Sequence, residues 1–123
     1  MQEMYQANFV YPFEKEQYQF LKQLFDDDVL HANRLCQIIV LMGGDPKYLN
    51  INNMWISGKN VDYVKSYKQI LYTNLELKEK TIIDYKTTIN KISDSNINLI
   101  LSLNLEDEIL HKNMILRQIE KCK

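Results

Sequence analysis

FDDDVLH, residues 25–31, and LEDEILH, residues 105–111, decide how this chain folds. Each places a carboxylate three residues before a histidine, Asp28 before His31 and Glu108 before His111. A spacing of i, i+3 sets two side chains on one face of a helix. Both faces are otherwise largely apolar. Phe20, Leu21, Leu24, Leu35, Ile38, Ile39 and Met42 recur at helical spacing with the first pair. Ile97, Ile100, Leu101, Asn104, Ile115 and Ile119 do the same with the second. A carboxylate left bare in a core is expensive, so such groups are paired or hold a metal ion. A single motif of this kind reads as a surface salt bridge. Two copies, each inside an apolar stripe, favour a shared internal site.

The breakers divide the chain into four helical stretches, expected at roughly 1–11, 13–42, 60–92 and 95–121. Tyr11-Pro12 separates the first two, and proline suits the first turn of a helix. Gly43-Gly44-Asp45-Pro46 ends the second: a glycine takes the left-handed C-terminal position and the proline blocks continuation. Residues 45–59, with Trp55 and Gly58, form a linker. The third stretch carries Tyr67, Ile70, Leu71, Asn74, Lys78, Ile82, Tyr85, Ile89 and Ile92 on one face. Ser93-Asp94-Ser95-Asn96 then supplies turn and N-cap chemistry for the fourth. Only three glycines and two prolines occur, which favours long helices with few turns. The expected fold is all-α, an antiparallel four-helix bundle with a shortened first helix, in a single domain spanning 1–123.

Composition excludes several function classes. At 123 residues the chain is large enough for one core. Its net charge of −1 offers no basic surface to nucleic acid or an anionic membrane. The longest mostly apolar run, Cys36 to Met42, is too short to span a bilayer. The N-terminus lacks a signal-peptide layout, so the expected location is cytoplasmic. Cys36 and Cys122 form neither a metal-type pair nor a disulfide framework. Cys36 points about 80° away from Asp28, on the helix flank. Cys122 falls on the inner stripe of the fourth helix, as small core filler. Trp55 reads as an anchor for the linker, and Tyr67 and Tyr85 as bundle tyrosines hydrogen-bonded internally. No phosphate loop, nucleophile elbow or Cys-His catalytic arrangement is present.

The stretch from His31 through Leu41-Met42-Gly43-Gly44-Asp45-Pro46 resembles the one after the first ExxH of ferritin-like proteins. It is most similar to the rubrerythrin and manganese-catalase-like branch, and residues 74–111 resemble that family's last two helices. The resemblance implies a di-iron or di-manganese site with Asp28, His31, Glu108 and His111 as metal ligands. That site takes four carboxylates and two histidines, and this chain departs from it in three places. Asp28 stands where glutamate is usual. The third-helix glutamate position is occupied by Lys78, and Glu76 and Glu79 point away from that direction at about 100° per residue. Glu3, the sole acid before Pro12, rises about 13 Å from the turn against about 21 Å for Asp28, more than a turn short. On the resemblance, the chain is expected to start after the place of the family glutamate.

Two of four carboxylates are thus missing and a cation has been added, so Lys78 is expected in an ion-paired charge cluster where a metal would lie. The alternative is a lysine that snorkels to solvent. Three functions follow from the resemblance. The first is a degenerate ferritin-like bundle acting as a structural or interaction protein, without full redox catalysis and with no catalytic residue assigned. The second is an iron- or manganese-binding oxidoreductase that reduces peroxide or dioxygen through Asp28, His31, Glu108 and His111. The third is a metal-storage subunit. On the first, iron or manganese is held at less than one ion per chain. The short first helix leaves Leu35, Ile38, Ile39 and Met42 facing a groove, so a homodimer is the expected assembly, with neither nucleic acid nor membrane as partner.

Overall fold

The computed structural model describes residues 3, 5–7, 15–46 and 66–123. All regular structure among them is helical, with no strand. Residues 3 and 5–7 are helical, and three long helices follow: α1 (Lys15–Leu41), α2 (Tyr67–Lys91) and α3 (Ser95–Lys121). The Pro12 break and the linker with Trp55 and Gly58 lie outside the described residues. The chain gathers into two compact units, Met1–Lys65 and Ser66–Lys123.

In the first unit, α1 buries Leu21, Leu24, His31 and Ile38. Leu24, His31 and Ile38 are seven apart, and on a straight helix such a repeat drifts by about 20° per heptad. By the end of α1 the buried direction has therefore turned away from Ile39, which sits about 100° round from Ile38. Ile39 and Met42, expected on the inner stripe, are instead 39% and 62% exposed. Met42 already lies past the last helical residue. Gln6 and Ala7 are buried as well.

The end of α1 follows from its two glycines. Gly43 adopts φ +83°, the left-handed region where a Cβ is penalised. Its N–H donates to the Val40 carbonyl at 3.0 Å, and the Gly44 N–H donates to the Ile39 carbonyl at 2.8 Å. Those are the two bonds of a Schellman cap. Gly44 is needed for a different reason. A Cβ there would meet Ile39 Cγ2 at 2.9 Å and the Ile39 carbonyl oxygen at 3.2 Å.

In the second unit, α2 begins at Tyr67 with Ser66 as an extended N-cap (φ −77°, ψ 131°). The stretch 60–65, expected to open this helix, lies outside the described residues. Residues 92–94 connect α2 to α3. Asp94 caps α3, its Oδ1 accepting from the N–H of Asn96 at 2.9 Å and of Ile97 at 3.1 Å. Two of the four orphan donors at the helix start are thereby satisfied. Asn98 Nδ2 reaches back to the Ile92 carbonyl at 2.7 Å and fastens the turn.

Side-chain pairs set the register of this hairpin. Tyr85 meets Asn104, Lys78 meets Glu108, and Tyr67 meets Gln118. Each step back along α2 is matched by a step forward along α3, so the two helices run antiparallel. The buried stripe of α2 is Ile70, Leu71, Asn74, Lys78, Ile82 and Tyr85. That of α3 is Ile97, Leu101, Asn104, Glu108, His111, Ile115 and Ile119. No helix among the described residues is long and apolar enough to cross a membrane.

Candidate functional site

The α2–α3 hairpin has an apolar frame and a polar spine. Lys78 is the residue on which its chemistry turns. Its side chain is 6% exposed, and its Nζ lies 3.1 Å from Oε2 of Glu108, itself 4% exposed. The ammonium stays inside instead of snorkelling to water. His111 follows Glu108 by one turn, is 1% exposed, and shares the buried face. A carboxylate oxygen of Glu108 and a ring nitrogen of His111 come within 4.8 Å of each other. Lysine, glutamate and histidine thus meet inside one hairpin.

Polar residues continue this spine in both directions. Toward the connection, Asn104 Nδ2 donates to the Tyr85 hydroxyl at 3.1 Å, with both side chains buried. Away from it, the Tyr67 hydroxyl donates to Gln118 Oε1 at 3.2 Å. Asn74, 1% exposed, lies one turn from Lys78 on the same face. Burial pushes the Tyr67 phenol up to about 12, with the neighbouring Cys122 thiol adding to the shift. Outside the spine, Lys112 and Glu79 make a looser pair at 3.8 Å between half-exposed side chains.

In the first unit, His31 and Asp28 are brought together by their i, i+3 spacing, with Nδ1 3.4 Å from Oδ1. The histidine is buried, but the Asp28 side chain is 28% exposed. An aspartate is shorter than a glutamate, and here it keeps contact with solvent. Asp28 and His31 belong to the first unit and Glu108 and His111 to the second, each pair a carboxylate and an imidazole with donor chemistry for a metal ion.

Cysteine roles divide. Cys36 is half-buried on the flank of α1. Cys122, expected as core filler, is exposed. It follows Ile119 by three and keeps the stripe's direction, but α3 ends at Lys121 and Cys122 is its C-cap (φ −89°, ψ −3°). Periodicity carries on past the point where the helix stops.

The sequence stripes include Asn74 and Asn104 without giving them a role. An amide inside a leucine stripe signals a buried hydrogen bond, and Tyr85 on the facing helix is the partner that signal asks for. Gln118, the partner of Tyr67, stands off the stripe and has no such signal. Gln6 is fully buried, and nothing in its surroundings in the sequence marks it. No protein-family model, curated protein or solved structure matches this chain.

Proposed function

We propose that this is a helical-bundle protein of ferritin-like type in which an internal ion pair stands in place of a di-metal carboxylate site. On this reading it serves as a structural or interaction protein without full redox catalysis. The observation that carries the proposal is the buried ammonium of Lys78 against Glu108. Charge compensation of that carboxylate is already supplied by the chain, so a divalent ion arriving there meets a repelling cation. Glu108 and His111 offer one carboxylate and one imidazole beside an ammonium, which does not suit a pair of divalent ions. The donors therefore do not fit a di-metal centre, and we derive no reaction through one.

Elemental analysis of protein purified without chelator, then incubated with Fe²⁺ or Mn²⁺, tests this directly. Less than one tightly held metal per chain is expected, and two per chain would sink the proposal. The variant Lys78→Glu exchanges the repelling cation for a ligand and is expected to bind metal more tightly. The oxidoreductase reading keeps one observation in its favour, the buried Glu108 and His111 donor pair on one face of α3. It requires stoichiometric metal together with consumption of peroxide or dioxygen.

Self-association belongs to the same proposal. Ile39, Val40, Leu41 and Met42 are consecutive and 39%, 58%, 72% and 62% exposed. An exposed apolar cluster of this kind favours an interface. A second copy of the chain is the simplest occupant. Light scattering at low micromolar concentration is expected to give twice the 14.7 kDa chain mass. A stable monomer would remove the homodimer from the proposal.

A further inference from the structure

We propose that the groove at the open end of the α2–α3 hairpin binds a small aryl or alkyl monocarboxylate, with the Arg117 guanidinium as its anchor. This site stands apart from the Lys78–Glu108 pair and does not depend on how that pair is read. Ile119, which lines the groove, is eleven residues beyond Glu108, about 16 Å along α3.

Helical spacing builds the groove. Tyr72 and Leu75 are three apart on α2, so they turn to the same side of that helix. Leu116, Ile119, Glu120 and Lys123 recur at spacings of three and four at the end of α3. With Arg117 they line an open cavity of about 490 Å³. Small-molecule sites span about 300–1,000 Å³ and are found between the helices of bundles. Ile119 is buried and makes the floor, while Tyr72 and Leu116 are 45% and 39% exposed and make the walls. Leu75 is half-buried between them and the core. An apolar ligand body laid against these side chains removes both surfaces from water.

Charge fixes the other end of the ligand. Lys123 Nζ is 2.9 Å from Glu120 Oε1, so those two charges compensate each other. The hydrogen bond to Glu120, then its charge, raise the Lys123 ammonium above its ordinary value, and Tyr72 adds to the shift. Arg117 is exposed, and no carboxylate among the described residues pairs with it. The rim therefore keeps one uncompensated positive charge. A guanidinium presents parallel N–H donors that match the two oxygens of a carboxylate. A cationic ligand would be repelled by Arg117. A dianion would bring its second charge against Glu120, so a single carboxylate suits the balance.

The test uses the full chain, isotopically labelled, with phenylbutyrate as the acid probe and phenylbutanol as its uncharged counterpart. Titrations are followed by protein NMR without added metal. Saturable shifts centred on Tyr72, Leu75, Leu116 and Ile119 are expected for both probes, with the acid bound about tenfold more tightly through its charge-assisted hydrogen bonds. Arg117→Ala, a change at an exposed position, should bring the acid down to the affinity of the alcohol and leave the alcohol unchanged. Tyr72→Ala should weaken both probes alike. Equal affinities for acid and alcohol in the unchanged protein, or a preference for the acid that survives Arg117→Ala, overturns the proposal. So does the absence of saturable shifts at the groove. Shifts at these residues on simple dilution, with neither probe binding, would give the groove to a second copy of the chain and overturn the proposal in that way.

Discussion

Nζ of Lys78 sits 3.1 Å from Oε2 of Glu108 across the α2–α3 interface, and neither side chain is more than 6% exposed. Removing one partner leaves the other charge buried without its counter-ion, at a cost of about 3–5 kcal/mol. Lys78→Met and Glu108→Leu are each expected to lower stability by that amount in urea unfolding. The double variant should recover most of the loss, because two packed apolar side chains replace a pair whose desolvation offsets its attraction. Additive losses in the double-mutant cycle would show that the two charges do not depend on each other.

A contrast comes from the other carboxylate–histidine pair. Asp28 is 28% exposed, so water screens its charge, while His31 beside it is 5% exposed. Asp28→Leu is therefore expected to cost no more than about 1 kcal/mol, the range of exposed pairs, well below Glu108→Leu. Thermal melts of the two variants side by side settle the order. A larger loss at Asp28 would mean that the first unit depends on that carboxylate more than its exposure suggests.

Much of this arrangement is legible in the sequence, and the reason is periodicity. On α3, the expected stripe residues Ile97, Leu101, Asn104, Glu108, His111, Ile115 and Ile119 are buried, while Ile100, also expected there, is half-buried. The same rule places Lys78 with Ile70, Leu71, Asn74, Ile82 and Tyr85. Lys78 reads as out of place for a physical reason: an amine inside an apolar stripe needs a counter-charge, and Glu108 is the acid on the facing stripe. Periodicity fails where a helix ends or drifts. Cys122 keeps the direction but lies past the end of α3, and Ile39 falls away as the heptad direction turns along α1. Hydrogen-bond partners off the stripe, Gln118 above all, depend on tertiary register, which spacing within one helix does not encode.

The cap of α1 offers a backbone test. Gly43 and Gly44 share one turn but serve different needs, φ at the first and space at the second. Gly43→Ala is expected to cost about 1 kcal/mol through left-handed strain. Gly44→Ala forces Ile39 Cγ2 to move from 2.9 Å, so its cost should shrink when Ile39 is also changed to Ala. Gly43→Ala should show no such coupling to Ile39. Chemical denaturation of the three single and two double variants separates strain from crowding.

At the start of α3, Asp94→Ala removes the acceptor of two backbone N–H groups, with an expected loss of about 1 kcal/mol. Asp94→Ser should restore most of it, since a serine hydroxyl also accepts at this position. Equal stability of the alanine and serine variants would assign the capping to water.

The pH dependence of the hairpin should be visible at its open end, through Tyr67. Burial raises its phenol to about 12 from the ordinary 10.0, with Cys122 contributing. The unfolded chain gives up this proton near the ordinary value, while the folded chain holds it longer. Between pH 10 and pH 12 the folded state thus binds more protons than the unfolded state, and stability falls as pH rises. Below pH 10 the contribution is fully present. Phenolate absorbance should accordingly show one tyrosine titrating late, and Tyr67→Phe should remove that late step. The same variant deprives Gln118 Oε1 of its 3.2 Å donor at neutral pH, a loss of about 1 kcal/mol. Stability of Tyr67→Phe should then depend less on pH through this window than that of the unchanged protein. Parallel alkaline unfolding curves for the two would show that the Tyr67 phenol titrates as freely in the folded chain as in the unfolded one.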